Sequence, residues 1–238
     1  MTMLQHNYQM VCSQLADAVQ QAGRPSGSVQ LVAVSKTFPA EAIREVYAAG
    51  QRDFGENYIQ EWSTKTEELA DLQDIVWHII GQVQSNKTRV VAERAHWVHS
   101  IDKLKTAERL SAQRPPNLPI LQVCIEVNIA NEANKHGVPP QEAVALALAV
   151  SKLPNLQVRG LMCVAEAAAG EAELQRQFQQ MLEKARSQGQ VQADPELLAR
   201  WLMNVMKGLR VNAREQMPKE QLQQMINLTF QGDRKSVV

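Results

Sequence analysis

The chain has 238 residues, enough for one large domain or two small ones and for a sizeable core. Apolar residues are 45% and charged residues 21%, an ordinary soluble globular make-up. Lys+Arg and Asp+Glu both number 25, which excludes a global basic field for nucleic acid and an acidic tail. Cys12, Cys124 and Cys163 show no CxxC spacing, the N-terminus has no signal layout, and no apolar run has membrane-spanning length. These features place the protein in a reducing cytoplasm, with Cys124 and Cys163 expected as buried, reduced thiols.

Leu4, Val11, Leu15, Ala18 and Val19 recur at helical spacing and predict a leading helix, ended by Gly23 and Pro25. A rhythm then sets in. Strands are predicted over 29–36, 52–57, 75–81, 96–102, 120–130 and 156–165. Helices follow them over 39–50, 58–69, 85–95, 103–113, 139–153 and 170–189. The first of these has Pro39 at its start and Gly50 at its end, and Ser85 or Asn86 is the expected cap of the third.

Six strand-then-helix units, with strands too apolar to have a wet face, imply a parallel α/β sheet covered by helices. An open doubly wound sheet and a closed (β/α)8 TIM-type barrel compete; the absence of a glycine-rich dinucleotide fingerprint after the first strand weakens the former. In a barrel, functional residues sit at the carboxyl ends of the strands. Those ends read Lys36, Glu56 with Asn57, His78, His99 with Ser100 and Asp102, Asn128, and Met162. Polar residues also end strands because the chain exits to water there, so the pattern alone leaves a site and plain solvation both open.

Lys36 closes the run LVAVS. Burial lowers a lysine's affinity for its proton, and a neutral amine attacks carbonyls, aldehyde cofactors above all. The alternative is a lysine that buries its stem and keeps its charge in solvent. No metal site is evident, since the five histidines lack HxxxH or HxH spacing with carboxylates on one face.

The segments VAVSKTFPAEAIREVYAAGQRDFGENYIQE, WHIIGQVQSNK, VHSID, VNIANEANKHG and VRGLM occur in this order. Together they resemble the pyridoxal phosphate homeostasis protein family, small barrels related in fold to the N-terminal domain of alanine racemase. The resemblance runs from near the start of the chain to Gln188. It implies a protein that binds pyridoxal 5'-phosphate (PLP) as an aldimine of Lys36, influences vitamin B6 and amino-acid balance, and has no established turnover. Carried across by position, Asn57, His78 and Asn128 would sit at strand ends facing the cofactor. Their structural alternative is that of buried hydrogen-bonding groups tying strand ends to loops. Ser85-Asn86-Lys87 matches a family signature too, and is not assigned to the cofactor. PLP and PLP-dependent apoenzymes are the implied partners of a monomeric protein, without nucleic acid or membrane.

The resemblance also implies two last strand–loop units that hold the phosphate, with patterns like SMGMSxD and VRIGTAIFG. Neither occurs after Gly189. Leu197, Leu198, Trp201, Leu202, Val205, Met206 and Leu209 are spaced for a helix instead, and a second helix is predicted from Pro218 to Leu228. The expected organisation is a PLP-binding barrel over 1–189 that lacks its last two strands and a divergent helical tail over 190–232. Residues 233–238, DRKSVV, translate GATCGGAAGAGCGTCGTG, the start of a sequencing adapter, and are expected to be read-through. Two other functions stay open: a PLP-dependent racemase-like enzyme, and a truncated or misassembled chain with impaired cofactor binding whose tail stripe meets a partner. Racemisation needs a second acid–base group facing the lysine, and Tyr8, Tyr47 and Tyr58 are the tyrosines present.

Overall fold

The computed structural model describes residues 1–21, 23–128, 136–163 and 183. After α1 (Met3–Gln21) the order is β1 (Ala33–Val34), α2 (Ala40–Ala48), β2 (Asp53–Glu56), α3 (Ile59–Glu68), β3 (Val76–Ile79) and α4 (Thr88–Arg94). Then come β4 (Trp97–Ile101), α5 (Leu104–Gln113), β5 (Leu121–Glu126), α6 (Pro140–Val150) and β6 (Leu156–Met162). The leading helix and the six strands all stand where the hydrophobic pattern predicts them. The helix predicted over 170–189, apart from Glu183, and every expectation about the tail, its missing strands and its ending lie outside the described residues.

All five strand pairs are parallel, and the sheet order is β1-β2-β3-β4-β5-β6. A doubly wound sheet reverses its direction of growth once; this one never does. Strictly sequential order is the winding of a (β/α) barrel. Among the described residues no helix is long and apolar enough to cross a membrane.

Alternation along the strands gives the sheet two unlike faces. Phe54, Trp77, Ile79, Val98, Leu121, Val123 and Ile125 are buried in one core with Ile43 and Val46 of α2, Trp62 of α3, Val91 of α4 and Leu110 of α5. The opposite face carries Asp53, His78, Trp97, His99, Gln122, Cys124 and Glu126; His78, Trp97 and Gln122 are in register across β3 to β5, and the β4–β5 register shifts between Val98 and Ile101. At 8% exposure Cys124 is buried as expected, whereas Cys163 is only half-buried, because it lies beyond the end of β6.

Two boundaries differ from the sequence reading. β1 is two residues long: residues 29–32 precede the paired part, and after Val34 the chain leaves the sheet in a turn at Ser35–Phe38, closed by Phe38 N–H on Ser35 O at 3.1 Å. α4 begins at Thr88, not beside Ser85 or Asn86; residues 85–87 form a preceding turn, and Lys87 occupies the N-cap position without a side-chain cap. The Ser85 carbonyl accepts from Thr88 Oγ1 at 3.1 Å and from Arg109 at 2.7 Å, so this segment ties α4 to α5.

Contacts divide the chain into two units. The first holds Met1–Ser13 and Gln30–Cys163, hence the whole described sheet. There Leu4 and Tyr8 of α1 pack on the core, and the Tyr8 hydroxyl donates to Gln51 Oε1 at 3.2 Å. The second holds Gln14–Val29 and Val164–Val238. Its described part ends α1 with Gly23 at φ 60° and an Arg24 N–H to Val19 O bond of 3.0 Å, the reason Gly23 works as a helix stop.

Candidate functional site

Lys36 is exposed at the carboxyl end of β1, and its amine has no hydrogen-bond or ion-pair partner among the described residues. Its two neighbours are held tightly. The Ser35 N–H donates to Gly55 O at 2.9 Å, and its hydroxyl donates to Glu56 Oε1 at 2.7 Å. Thr37 lies at φ 65°, where a β-branched residue costs about 1–3 kcal/mol unless its surroundings impose it. Its N–H donates to Glu61 Oε1 at 2.8 Å.

Both anchors meet at Lys65 of α3, which is buried. Its ammonium donates to Ser35 O at 2.8 Å, Glu56 Oε1 at 2.7 Å and Glu61 Oε1 at 2.6 Å, so all three of its protons are used. Burial pushes the Glu56 carboxyl up, opposed by Lys65 and the Ser35 hydroxyl. The Lys65 hydrogen bond pulls the Glu61 carboxyl below the usual range.

Asn57 follows β2 directly, and its Oδ1 is buried without a hydrogen-bond partner among the described residues. The loop after β3 presses on its backbone. A Cβ on Gly81 would stand 2.2 Å from Asn57 O, so any other residue there would displace Asn57. Ser100 Oγ donates to Gly81 O at 2.6 Å and holds that loop from β4. Asn128 is placed similarly: its N–H donates to Val138 O at 2.9 Å, and a Cβ on Gly137, at φ 103°, would meet Asn128 N at 2.6 Å. Glycine is required there on both counts.

His78 lies inside β3 rather than beyond its end, and it is 4% exposed. Both ring nitrogens are engaged: Nε2 with Asp53 Oδ1 at 2.9 Å, Nδ1 with His99 Nε2 at 3.0 Å. An ionised Asp53 assigns the tautomers. His78 Nε2–H donates to the carboxylate, and His78 Nδ1 then accepts from His99 Nε2–H. Trp97 stacks on both rings, with centroids 5.5 Å from His78 and 5.6 Å from His99. Burial lowers the His78 pKa against the pull of Asp53, and burial with the neighbouring His78 pushes His99 down to about 4. Both imidazoles are therefore neutral near pH 7.

At the ends of β4 and β5, Gln82 Nε2 donates to Glu126 Oε2 at 2.9 Å and Asp102 Oδ2 at 3.3 Å. Burial and the nearby Asp102 push Glu126 up to about 7. Among the described residues no group of three His, Cys, Asp or Glu is arranged to hold a metal ion.

Lys36, Asn57 and Asn128 thus each follow a strand, whereas His78 belongs to a buried relay with Asp53 and His99. Asp53 and Lys65 escape sequence reasoning. Asp53 sits at the start of a short strand candidate, and its partner His78 is 25 residues on. Lys65 falls within the helix predicted over 58–69, without a role assigned to it. The one available signal for it was the i,i+4 spacing from Glu61 to Lys65.

Residues 4–198 match the model of the alanine racemase N-terminal domain family. A pyridoxal phosphate homeostasis protein of Pseudomonas aeruginosa is 51% identical over 183 residues, 77% of this chain and 79% of that one. One of Escherichia coli is 46% identical over 176 residues, 73% of this chain and 74% of that one. Among solved structures, PipY of Synechococcus elongatus with PLP bound superposes with a TM-score of 0.62 at 36% identity, covering 83% of this chain and 94% of that one. By its winding, its sequence and its relatives, this chain belongs to the alanine racemase N-terminal domain family and, within it, to the pyridoxal phosphate homeostasis proteins.

Proposed function

We propose that the chain binds PLP through Lys36 and serves PLP homeostasis without catalytic turnover. One observation carries this: in a chain of this family, the strand-end Lys36 keeps an exposed amine, without a partner among the described residues, on a backbone anchored from both sides. PLP, when bound, supplies an aldehyde on an electron-withdrawing ring. Lys36, once deprotonated, bonds the aldehyde carbon with loss of water. The residues present fit such a group, since Asn57 Oδ1 is a buried acceptor lacking a donor among the described residues. Asn57 and Asn128 would orient it, and His78, with both ring nitrogens engaged by Asp53 and His99, would support the site as a neutral ring without a hydrogen bond of its own to the group. The same reading makes PLP-dependent apoenzymes the partners, a monomer the working form and the cytoplasm the compartment.

A racemase would need an acid–base group opposite the lysine. Two of the tyrosines are committed elsewhere, Tyr8 on Gln51 and Tyr47 on Asp74, and burial pushes the Tyr8 hydroxyl up to about 12. Conversion of D- to L-amino acids by the purified chain would overturn the non-catalytic reading.

The test is a PLP titration followed by absorbance. The band of the lysine-bound cofactor is expected in the wild type and lost in Lys36→Ala, with thermal stability unchanged. A band of equal strength in Lys36→Ala would remove Lys36 from the site. Affinity is expected to fall below that of a relative carrying both phosphate patterns, since each charge-assisted hydrogen bond to a phosphate contributes about 1.5–3 kcal/mol. Resequencing the locus across the codons for 185–238 tests the proposal that the tail is not native. Native codons for the tail as written would overturn it.

A further inference from the structure

The Lys65 network makes one contact that an ordinary helix ion pair does not need. Glu61 and Lys65 stand at i,i+4 on α3 and would pair without help from β1. Yet Glu61 Oε1 also takes the Thr37 N–H at 2.8 Å, and Lys65 also donates to Ser35 O at 2.8 Å. The network therefore grips the residue before Lys36 and the residue after it. It leaves the Lys36 amine itself without a partner among the described residues. Between the two grips the chain turns, with Phe38 N–H on Ser35 O at 3.1 Å and Thr37 at φ 65°. A tight turn of this kind takes glycine or asparagine at its positive-φ position. Threonine there will relax to negative φ unless something holds its amide, and relaxation would re-aim the residue before it.

We propose that Glu61 is a positioning residue for Lys36: together with Lys65 it holds Thr37 in the left-handed conformation and so fixes the direction in which Lys36 leaves the sheet. The proposal rests on the reading of Lys36 as the PLP lysine. Glu61 touches neither the amine nor the aldehyde. It acts through the backbone of the Ser35–Phe38 turn. Its side chain is 31% exposed, so removing it opens no large cavity, and the fold can be expected to survive.

The experiment uses the full chain mixed with PLP, reduced with borohydride at timed intervals and mapped by peptide mass spectrometry. Amide hydrogen exchange at Thr37 and Phe38 and thermal unfolding are followed in parallel. In Glu61→Ala the Thr37 amide should exchange faster, and pyridoxyl label should accumulate on Lys36 about tenfold more slowly, with little change in Tm. Adding Thr37→Gly should restore most of the labelling rate, because glycine holds a positive φ without strain. Wild-type labelling kinetics in Glu61→Ala would overturn the proposal. So would a slow phenotype that Thr37→Gly leaves uncorrected while Tm falls in step, the mark of a merely structural role. Label absent from the wild type, or sitting on another lysine, overturns the Lys36 reading and this proposal with it. Label on Lys36 that Glu61→Ala leaves unaffected removes this proposal alone.

Discussion

The two faces of the sheet obey different rules. On the helix-covered face, Phe54, Ile79, Val98, Val123 and Ile125 are buried among helix side chains, and one ionic knot, Glu56 with Lys65, interrupts them. On the other face, Asp53, His78 and His99 form a hydrogen-bonded row under Trp97, and Glu126 shares Gln82 with Asp102. The first face decides that the chain folds as a barrel-type α/β unit. The second tolerates polar groups only where each finds a partner or a shifted pKa, which is the usual condition of a ligand-facing surface.

The sharpest way to break this contrast is to disturb the Glu56–Lys65 ion pair on the apolar side. Lys65→Met keeps the volume and removes the ammonium, stranding Glu56, whose side chain is 0% exposed and whose Oε2 already lacks a hydrogen-bond partner among the described residues. Stability should drop by about 3–5 kcal/mol in a urea titration. Glu56→Leu added to it should recover most of the loss, because a buried pair can be exchanged for apolar packing at little cost. A single variant as stable as the wild type would show that solvent reaches this pair and that the face is not sealed.

A smaller effect is expected at Glu126. Its pKa in the fold, about 7, lies above the usual carboxyl value of 4.5, so the native state holds a proton that the unfolded state has released between those pH values. Stability is therefore lost as pH rises from 4.5 to about 7. Glu126→Gln removes that loss. It should raise stability by up to about 3 kcal/mol at pH 8 and leave it unchanged below pH 4.5. Urea midpoints at the two pH values check this, and a gain of equal size at both would mean that packing, not charge, is responsible.

How much of this was legible follows from where each signal lies in the chain. Runs such as ILQVCIEV and IVWHIIG are local and strongly apolar, and the Pro39-to-Gly50 framing marks a helix by itself. Lys36 was legible as a charge ending an apolar run. The turn that follows β1 was not, because it places a threonine at positive φ, and nothing in the letters SKTF announces that conformation. His78 read as a strand end because the apolar residues of IVWHIIG gave no register, and only pairing with Asp53 and His99 shows it as part of a row. Lys65 went unread because two of its acceptors, Ser35 O and Glu56 Oε1, lie 30 and 9 residues before it. Local pattern thus predicts the elements, whereas the relay and the network exist only once the strands are side by side.

The smallest effect expected sharpens the contrast most, because it separates hydrogen bonding from charge within the polar row. Asp53→Asn keeps an oxygen for His78 Nε2–H but removes the negative charge. Exchanging a charge-assisted hydrogen bond for a neutral one should cost about 1 kcal/mol at pH 8. The cost should grow in acid, for a reason of sign. In the fold, His78 and His99 hold protons less readily than a free imidazole of pKa 6.5, His99 down to about 4. Unfolded imidazoles therefore take up protons that the native ones refuse, and stability present above pH 6.5 is lost as pH falls toward 4. Asp53 is the group that opposes this for His78, since its charge and its hydrogen bond both favour the protonated ring. Without that charge the native His78 refuses its proton to a lower pH, and the acid loss steepens. Asp53→Asn should accordingly lie further below the wild type at pH 5 than at pH 8. An equal deficit at both would mean that Asp53 acts as a neutral acceptor, and that the polar face is organised by hydrogen bonds rather than by charge.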